Sequence, residues 1–267
     1  MSAYLTCLKG ILVRELLRFL HQRERFFGAL VRPLVWLFVF AAGFRAALGI
    51  SIIAPYETYI TYETYIVPGL VAMIQLFNGM QSSLSMVYDR EMGSMRILLS
   101  SPLPRWYLLV CKLLAGVAVS VIQVYAFLIV AFLYGIELPP AGWVTALPAL
   151  IANGLMLGAL GMLLSSTIRQ LENFAGVMNF VVFPLFFLSS ALYPLYKMRE
   201  SSELLYMLCR LNPFTYGVEL IRFALYGQGN AEATLVVLGS LLLFLVLAIR
   251  GYSPARGMSS RAPAPAE

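Results

Sequence analysis

Residues 88–112, YDREMGSMRILLSSPLPRWYLLVCK, carry six charged side chains and two prolines in a chain that is otherwise mostly apolar. Uncharged runs flank them, residues 64–88 on one side and 113–136 on the other. A helix needs roughly 20 apolar residues to cross the hydrocarbon core of a bilayer. The stretch is therefore expected at a membrane surface, between two spans. Good helix formers follow Asp89. Pro102 and Pro104 end that helix, because the residue before a proline avoids the α region. Trp106 and Tyr107 then open the next span, where amphipathic rings favour the interface. The expected result is a short surface helix that offers Asp89, Arg90, Glu91 and Arg96 to a partner, with Gly93 allowing close backbone approach. The alternative is an ordinary charged loop.

Working outward, residues 138–168, 173–196 and 233–249 are also uncharged, and residues 33–56 contain only Arg45. Six membrane-spanning helices are expected. Of the 267 residues, 60% are hydrophobic and 12% are charged, about half the charge of a soluble domain. Barrel strands alternate over about 10 residues, so continuous apolar runs argue for an all-α membrane protein. Cys7, Cys111 and Cys209 are far apart and show neither a disulfide framework nor a metal-binding spacing.

Basic residues orient the spans. With six spans and the N-terminus inside, 14 Lys and Arg fall on the cytoplasmic side and five outside, namely Arg45, Lys197, Arg199, Arg210 and Arg222. That bias places both termini in the cytoplasm. The net charge of +6 is thus a topology signal. No basic patch interleaved with aromatics points to nucleic acid.

Residues 4–26 read as an amphipathic helix, with Leu5, Leu8, Leu12, Leu16 and Phe19 on one side and Lys9, Arg14, Arg18 and Gln22 on the other. Such a helix is expected to lie in the membrane interface; the alternative is an extension of the first span. No signal-peptide pattern precedes it. The hexad Tyr56–Thr61 is repeated at Tyr62–Val67 with one change, a local duplication at the outer interface or a tyrosine platform for substrate. The second span is expected to open at Val67, with Pro68 in its first turn. The fifth is expected to end near residues 191–197, with a kink at Pro184.

Residues 197–228 are too charged to span and too apolar for a free loop. They split at Asn212, a candidate N-cap, and Pro213, suited to the first helical position. Glu219 and Arg222, three apart, suit an ion pair on one helix face. Two short helices dipping into the outer leaflet and back are expected. The tail, 252–267, is rich in Pro, Ala and Ser and is expected to be disordered in the cytoplasm.

Several chemistries lack their residues. The chain has a single histidine, His21, a single aspartate, Asp89, and no HExxH, so acid–base, aspartyl or zinc-dependent catalysis within the membrane has no apparatus. There is no GxxxxGK[ST] either, so no P-loop can hold ATP. No cofactor or metal is expected on this chain. Polar residues inside spans, Asn78, Gln81, Gln123, Asn153 and Asn179, need partners in lipid; they either line a pathway or join helices.

The segment REMGSMRILLSSPLPRWYLLVCKLL resembles the cytoplasmic segment of type-2 ABC transporter permeases, with Glu91, Gly93, Leu98, Pro102 and Arg105 at the pattern positions. LNPFTYGVELIRFALYG, residues 211–227, resembles the segment before the last span of that family, and VPGL at 67–70 the start of its second span. The resemblance covers roughly residues 4–250. It implies one transmembrane domain over 1–251, with a connecting helix at 1–27, a coupling-helix loop at 88–104 and a re-entrant outer hairpin at 197–228. It implies a permease subunit for export of an amphipathic, lipid-like, drug or glycan cargo. The implied setting is a bacterial inner membrane. The implied partners are two copies of a cytoplasmic ABC ATPase, which uses ATP and Mg, a second permease copy or a paralogue, and membrane lipid. Glu91 and Arg96 are then the candidate charge contacts to the ATPase, with Arg14, Glu15 and Arg18 on the connecting helix. The competing expectation is a membrane anchor or assembly protein without transport.

Overall fold

A computed structural model describes residues 2–21, 23–44, 53–91, 103–168 and 171–252. Among these residues every regular element is an α-helix: α1 Ser2–His21, α2 Arg23–Phe44, α3 Tyr62–Glu91, α4 Arg105–Leu133, α5 Gly142–Thr167, α6 Leu171–Phe187, α7 Leu195–Ser201, α8 Glu203–Leu211, α9 Pro213–Leu225 and α10 Ala231–Gly251. Helices α4, α5 and α10 are long and apolar enough to cross a membrane. Helices α2 and α6 contain shorter apolar stretches, Leu30–Val39 and Gly176–Phe187. Helix α3 has 30 residues, but Gln75, Asn78 and Gln81 lower its hydropathy. The stretch expected to hold the coupling helix, including Gly93, Arg96, Leu98 and Pro102, lies outside the described residues, as does the tail from residue 253.

Helices α3 and α5 form the centre. Helix α5 packs on α3, α4, α9 and α10, and α3 also touches α2, α4, α6 and α9. Glycines set the approach of α3 to α5. A Cβ on Gly161 would lie 2.3 Å from Ser83 Oγ and 2.7 Å from the Gly79 carbonyl oxygen. Gly154 and Gly158 on α5 have the small-x-x-x-small spacing of packed membrane helices, but they make room for side chains: a Cβ on Gly154 would lie 3.1 Å from the Gln75 amide nitrogen, and one on Gly158 2.4 Å from Leu113 Cδ1 on α4. The spacing is plain in the sequence but says nothing there about which helix it meets.

Three boundaries differ from the sequence expectations. Helix α3 begins at Tyr62, so Pro68 lies inside it rather than in its first turn. Tyr62, Tyr65 and Ile66 are all buried, and their packing outweighs the one backbone bond that a proline forfeits. Helix α6 stops at Phe187 with Pro184 inside it, short of residues 191–197. There the Ser189 hydroxyl donates to the Phe186 carbonyl at 2.6 Å and accepts from the Ala191 amide at 3.2 Å, and such local bonds compete with a helical ladder. The stretch expected as an outer hairpin of two helices holds three, because its first arm breaks at Ser202, whose backbone is extended.

Candidate functional site

Three polar constellations stand out in this apolar bundle. The first lies where α3 ends and α4 begins, here termed the charged end. Helix α1 is laid on the start of α4: Ile11 packs with Leu108, Cys111 and Ala115. The Tyr107 hydroxyl donates to the Tyr4 carbonyl at 2.7 Å, and the two rings meet edge to face with centroids 4.9 Å apart. Arg14, exposed, pairs with its neighbour Glu15 at 2.8 Å, and Arg18 is half-buried on the same helix. Arg105 is the first residue of α4, and Glu91 is the last of α3. Between these ends Lys112 donates to Asp89 at 2.6 Å, with Lys112 only 4% exposed. The sequence reading missed this pair, although Lys112 stands seven residues inside α4, where a lysine needs a partner.

The second constellation is a polar seam between α3 and α4, joined by α5. The Asn78 side-chain amide donates to the Gln123 carbonyl oxygen. The Gln75 amide donates to the Leu150 backbone carbonyl at 2.7 Å and to the Ser120 hydroxyl at 3.4 Å. The Asn153 amide donates to the Gln75 side-chain oxygen at 2.8 Å. Three of the five in-span polar candidates thus find partners: Asn78 and Gln123 pair with each other, and Asn153 pairs with Gln75. Gln81 is half-buried on α3 and lies outside these pairs, and Asn179 is exposed on α6. A void of about 10 Å³ opens beside the seam, lined by Gln75, Asn78, Ser82 and Ser120 with Gly79, Gly116, Gly154 and Gly158 among its walls. That is the size of about one water. It cannot pass a cargo molecule.

The third constellation caps the opposite end, here termed the tyrosine end. Arg222 on α9 is 1% exposed. It donates to Glu219, one turn back on the same helix, and to the Ser190 carbonyl at 2.9 Å. Its guanidinium sits over the Tyr65 ring, 4.2 Å from the centroid. The Tyr65 hydroxyl donates to the same Ser190 carbonyl at 3.0 Å, and the Tyr62 hydroxyl to the Leu192 carbonyl at 3.0 Å. Tyr56 is buried against Tyr65 and Tyr226, and burial pushes its phenol pKa upward. Both copies of the duplicated hexad therefore contribute to one cap, while Tyr59 is 80% exposed. Asn212 joins this cap to α6. Its side-chain oxygen accepts from the Phe214 amide at 2.9 Å, capping α9 with Pro213 in the first position. Its amide donates to the Leu185 and Leu188 carbonyls at 2.7 and 2.6 Å.

Among the described residues no group of three or more His, Cys, Asp or Glu could hold a metal ion. The chemistry on offer is mechanical: polar joints between helices, a capped end and a charged end. The comparisons with known proteins agree with that character. The chain is 29% identical over 224 residues to the "Putative transport permease ycf38" of Cyanophora paradoxa, covering 82% of this chain and 74% of the relative. It is 26% identical over 222 residues to the protein of the same name from Porphyra purpurea, covering 81% and 72%. It is 31% identical over 146 residues to the "Probable multidrug ABC transporter permease YbhR" of Escherichia coli (strain K12), covering 54% and 39%. The family model for ABC-2 type transporters matches residues 6–226, and with a match of that length the chain belongs to the ABC-2 type transporter family, as a membrane subunit of an ABC transporter.

Proposed function

We propose that the chain is the permease subunit of an ATP-driven exporter and that two permease subunits form the pathway between them. The observation that carries this reading is the polar seam. Among the described residues it pairs with itself around a void of about 10 Å³, too small for cargo, so the path is assigned to the space between two subunits. A second copy or a paralogue would supply it. Helix α6 leaves Phe180, Phe183 and Phe187 exposed, with exposed Asn179 beside them, and a polar amide facing lipid needs a partner. The cargo class proposed is amphipathic: a drug, a lipid-like molecule or a lipid-linked glycan. The name of the E. coli relative, a probable multidrug permease, and the largely uncharged spans support it.

Six spans, α2 to α6 and α10, with both termini in the cytoplasm of a bacterial inner membrane, complete the proposal. The charged end then faces a cytoplasmic ABC ATPase present in two copies, which holds ATP and Mg. Helix α1 lies in the interface, its exposed Leu5, Val13, Leu17 and Leu20 turned to lipid. Glu91, Gly93, Arg96, Leu98, Pro102 and Arg105 form the coupling contact, assisted by Arg14, Glu15 and Arg18. The hairpin from α7 to α9 closes the pathway at the outer leaflet.

The test is a mild-detergent pull-down of the tagged chain, wild type beside Glu91→Ala/Arg96→Ala, with copurifying ATPase identified and its turnover assayed. ATPase recovered with wild type and weakened in the double variant supports the reading. Failure of any ATPase to copurify with wild type overturns it in favour of an anchor or assembly protein.

A further inference from the structure

Asp89, expected from the sequence to face a partner, pairs instead with Lys112 within the chain, and the pair is not among the proposed coupling contacts. Lys112 lies in the second turn of α4, 4% exposed, between Leu109 and Leu113, which pack with Met86, Ala159 and Met162. Its ammonium reaches back to Asp89 at 2.6 Å, two residues short of the end of α3. The two residues therefore close the chain segment between Glu91 and Arg105 at its base. The adjoining face of the same α4 turns, Leu108, Cys111 and Ala115, carries α1. The first two turns of α4 are thus tied to α3 by an ion pair and to α1 by packing.

We infer that the Asp89–Lys112 pair is a positioning clamp, which makes the ends of α3 and α4 move as one body when the segment between them is displaced. The inference rests on the proposed function, in which that segment receives the stroke of the ATPase. Stability alone does not explain the pair, since apolar residues of similar volume often replace a buried ion pair at no loss. An ion pair with a 2.6 Å contact restricts sliding of one helix past the other, which apolar side chains permit. Removal of one partner should act asymmetrically. Asp89→Asn leaves an ammonium buried without its charge partner, whereas Asp89 is 26% exposed and keeps some water in Lys112→Met.

The test uses the full chain in nanodiscs, alone and with its copurified ATPase, with spin labels on unnatural amino acids at Tyr88 and Trp106, 44% and 53% exposed. This labelling spares the three native cysteines. The variants are Asp89→Leu/Lys112→Met, which keeps the site filled, and Lys112→Arg, which keeps the charge. A narrow distance distribution is expected in wild type and Lys112→Arg, and a broadened one in the apolar double variant. The double variant should still bind ATPase while its ATP turnover changes roughly 5-fold or more, the lower range of ordinary coupling energies; Lys112→Arg should restore it. If the double variant does not accumulate in the membrane, Asp89→Glu, which displaces the carboxylate by one methylene, should shift the mean distance. Unchanged distances in the variants, or loss of ATPase binding in step with turnover, would overturn the clamp. Absence of ATPase from the wild-type preparation would instead count against the exporter reading, while the distances of the permease alone still decide the clamp.

Discussion

Arg222 shows at the level of one residue how an apolar protein accommodates a charge. Its guanidinium, 1% exposed, is held by Glu219, the Ser190 carbonyl and the Tyr65 ring. Breaking a buried pair by removing one partner costs about 3–5 kcal/mol. Glu219 is 18% exposed and regains some hydration, so Arg222→Met is expected to cost about 3 kcal/mol, near the lower end of that range. Unfolding in mixed micelles measures it, and an unchanged midpoint would remove the cap's structural importance. Gly217 gives a second test at this scale. A Cβ there would lie 2.0 Å from Asn153 Oδ1, so Gly217→Ala must displace Asn153 from Gln75. It should cost about 1–3 kcal/mol, as overpacking does. The same substitution should cost far less in an Asn153→Ala background, where the oxygen is gone. Spacing in the sequence indicated Glu219 and Arg222 as a pair. Their burial was not legible, because it depends on α3 and on residues 189–192, far away in the chain.

Elements follow the same division. The polar seam links α3, α4 and α5 through residues that alone read only as polar groups needing partners. Asn78 with Gln123 is the cleanest joint, and a double-mutant cycle with alanine at each position should return a coupling energy of roughly 0.6–2 kcal/mol, as for other hydrogen bonds between membrane helices. Additive losses would mean that the two side chains act separately. Helix ends were legible where the signal is local. Asn212 and Pro213 begin α9 by capping chemistry contained in two residues. They were misjudged where packing intervenes. Burial of Tyr62 and Tyr65 carries α3 upstream of Pro68, and the Ser189 bonds end α6 early.

For the whole molecule, the proposed second subunit requires a contact face. If α6 faces a partner, a cysteine at Phe180, 80% exposed, should cross-link between two copies in native membranes, or to a paralogue. A cysteine at Leu235 on α10, 72% exposed and read here as facing lipid, should not. The reverse pattern would move the interface to α10. By itself the sequence determined the class: continuous apolar runs and scarce charge allow only an all-helical membrane protein, because a backbone in lipid must bond within its own segment. It also determined the family, through short motifs whose order is a property of the chain. Only the tertiary structure decided which polar residues meet. Asn78 with Gln123, Gln75 with Asn153, Asp89 with Lys112 and Tyr65 with Arg222 are each joined across different helices, and their contacts are set by helix crossings that one-dimensional periodicity does not encode.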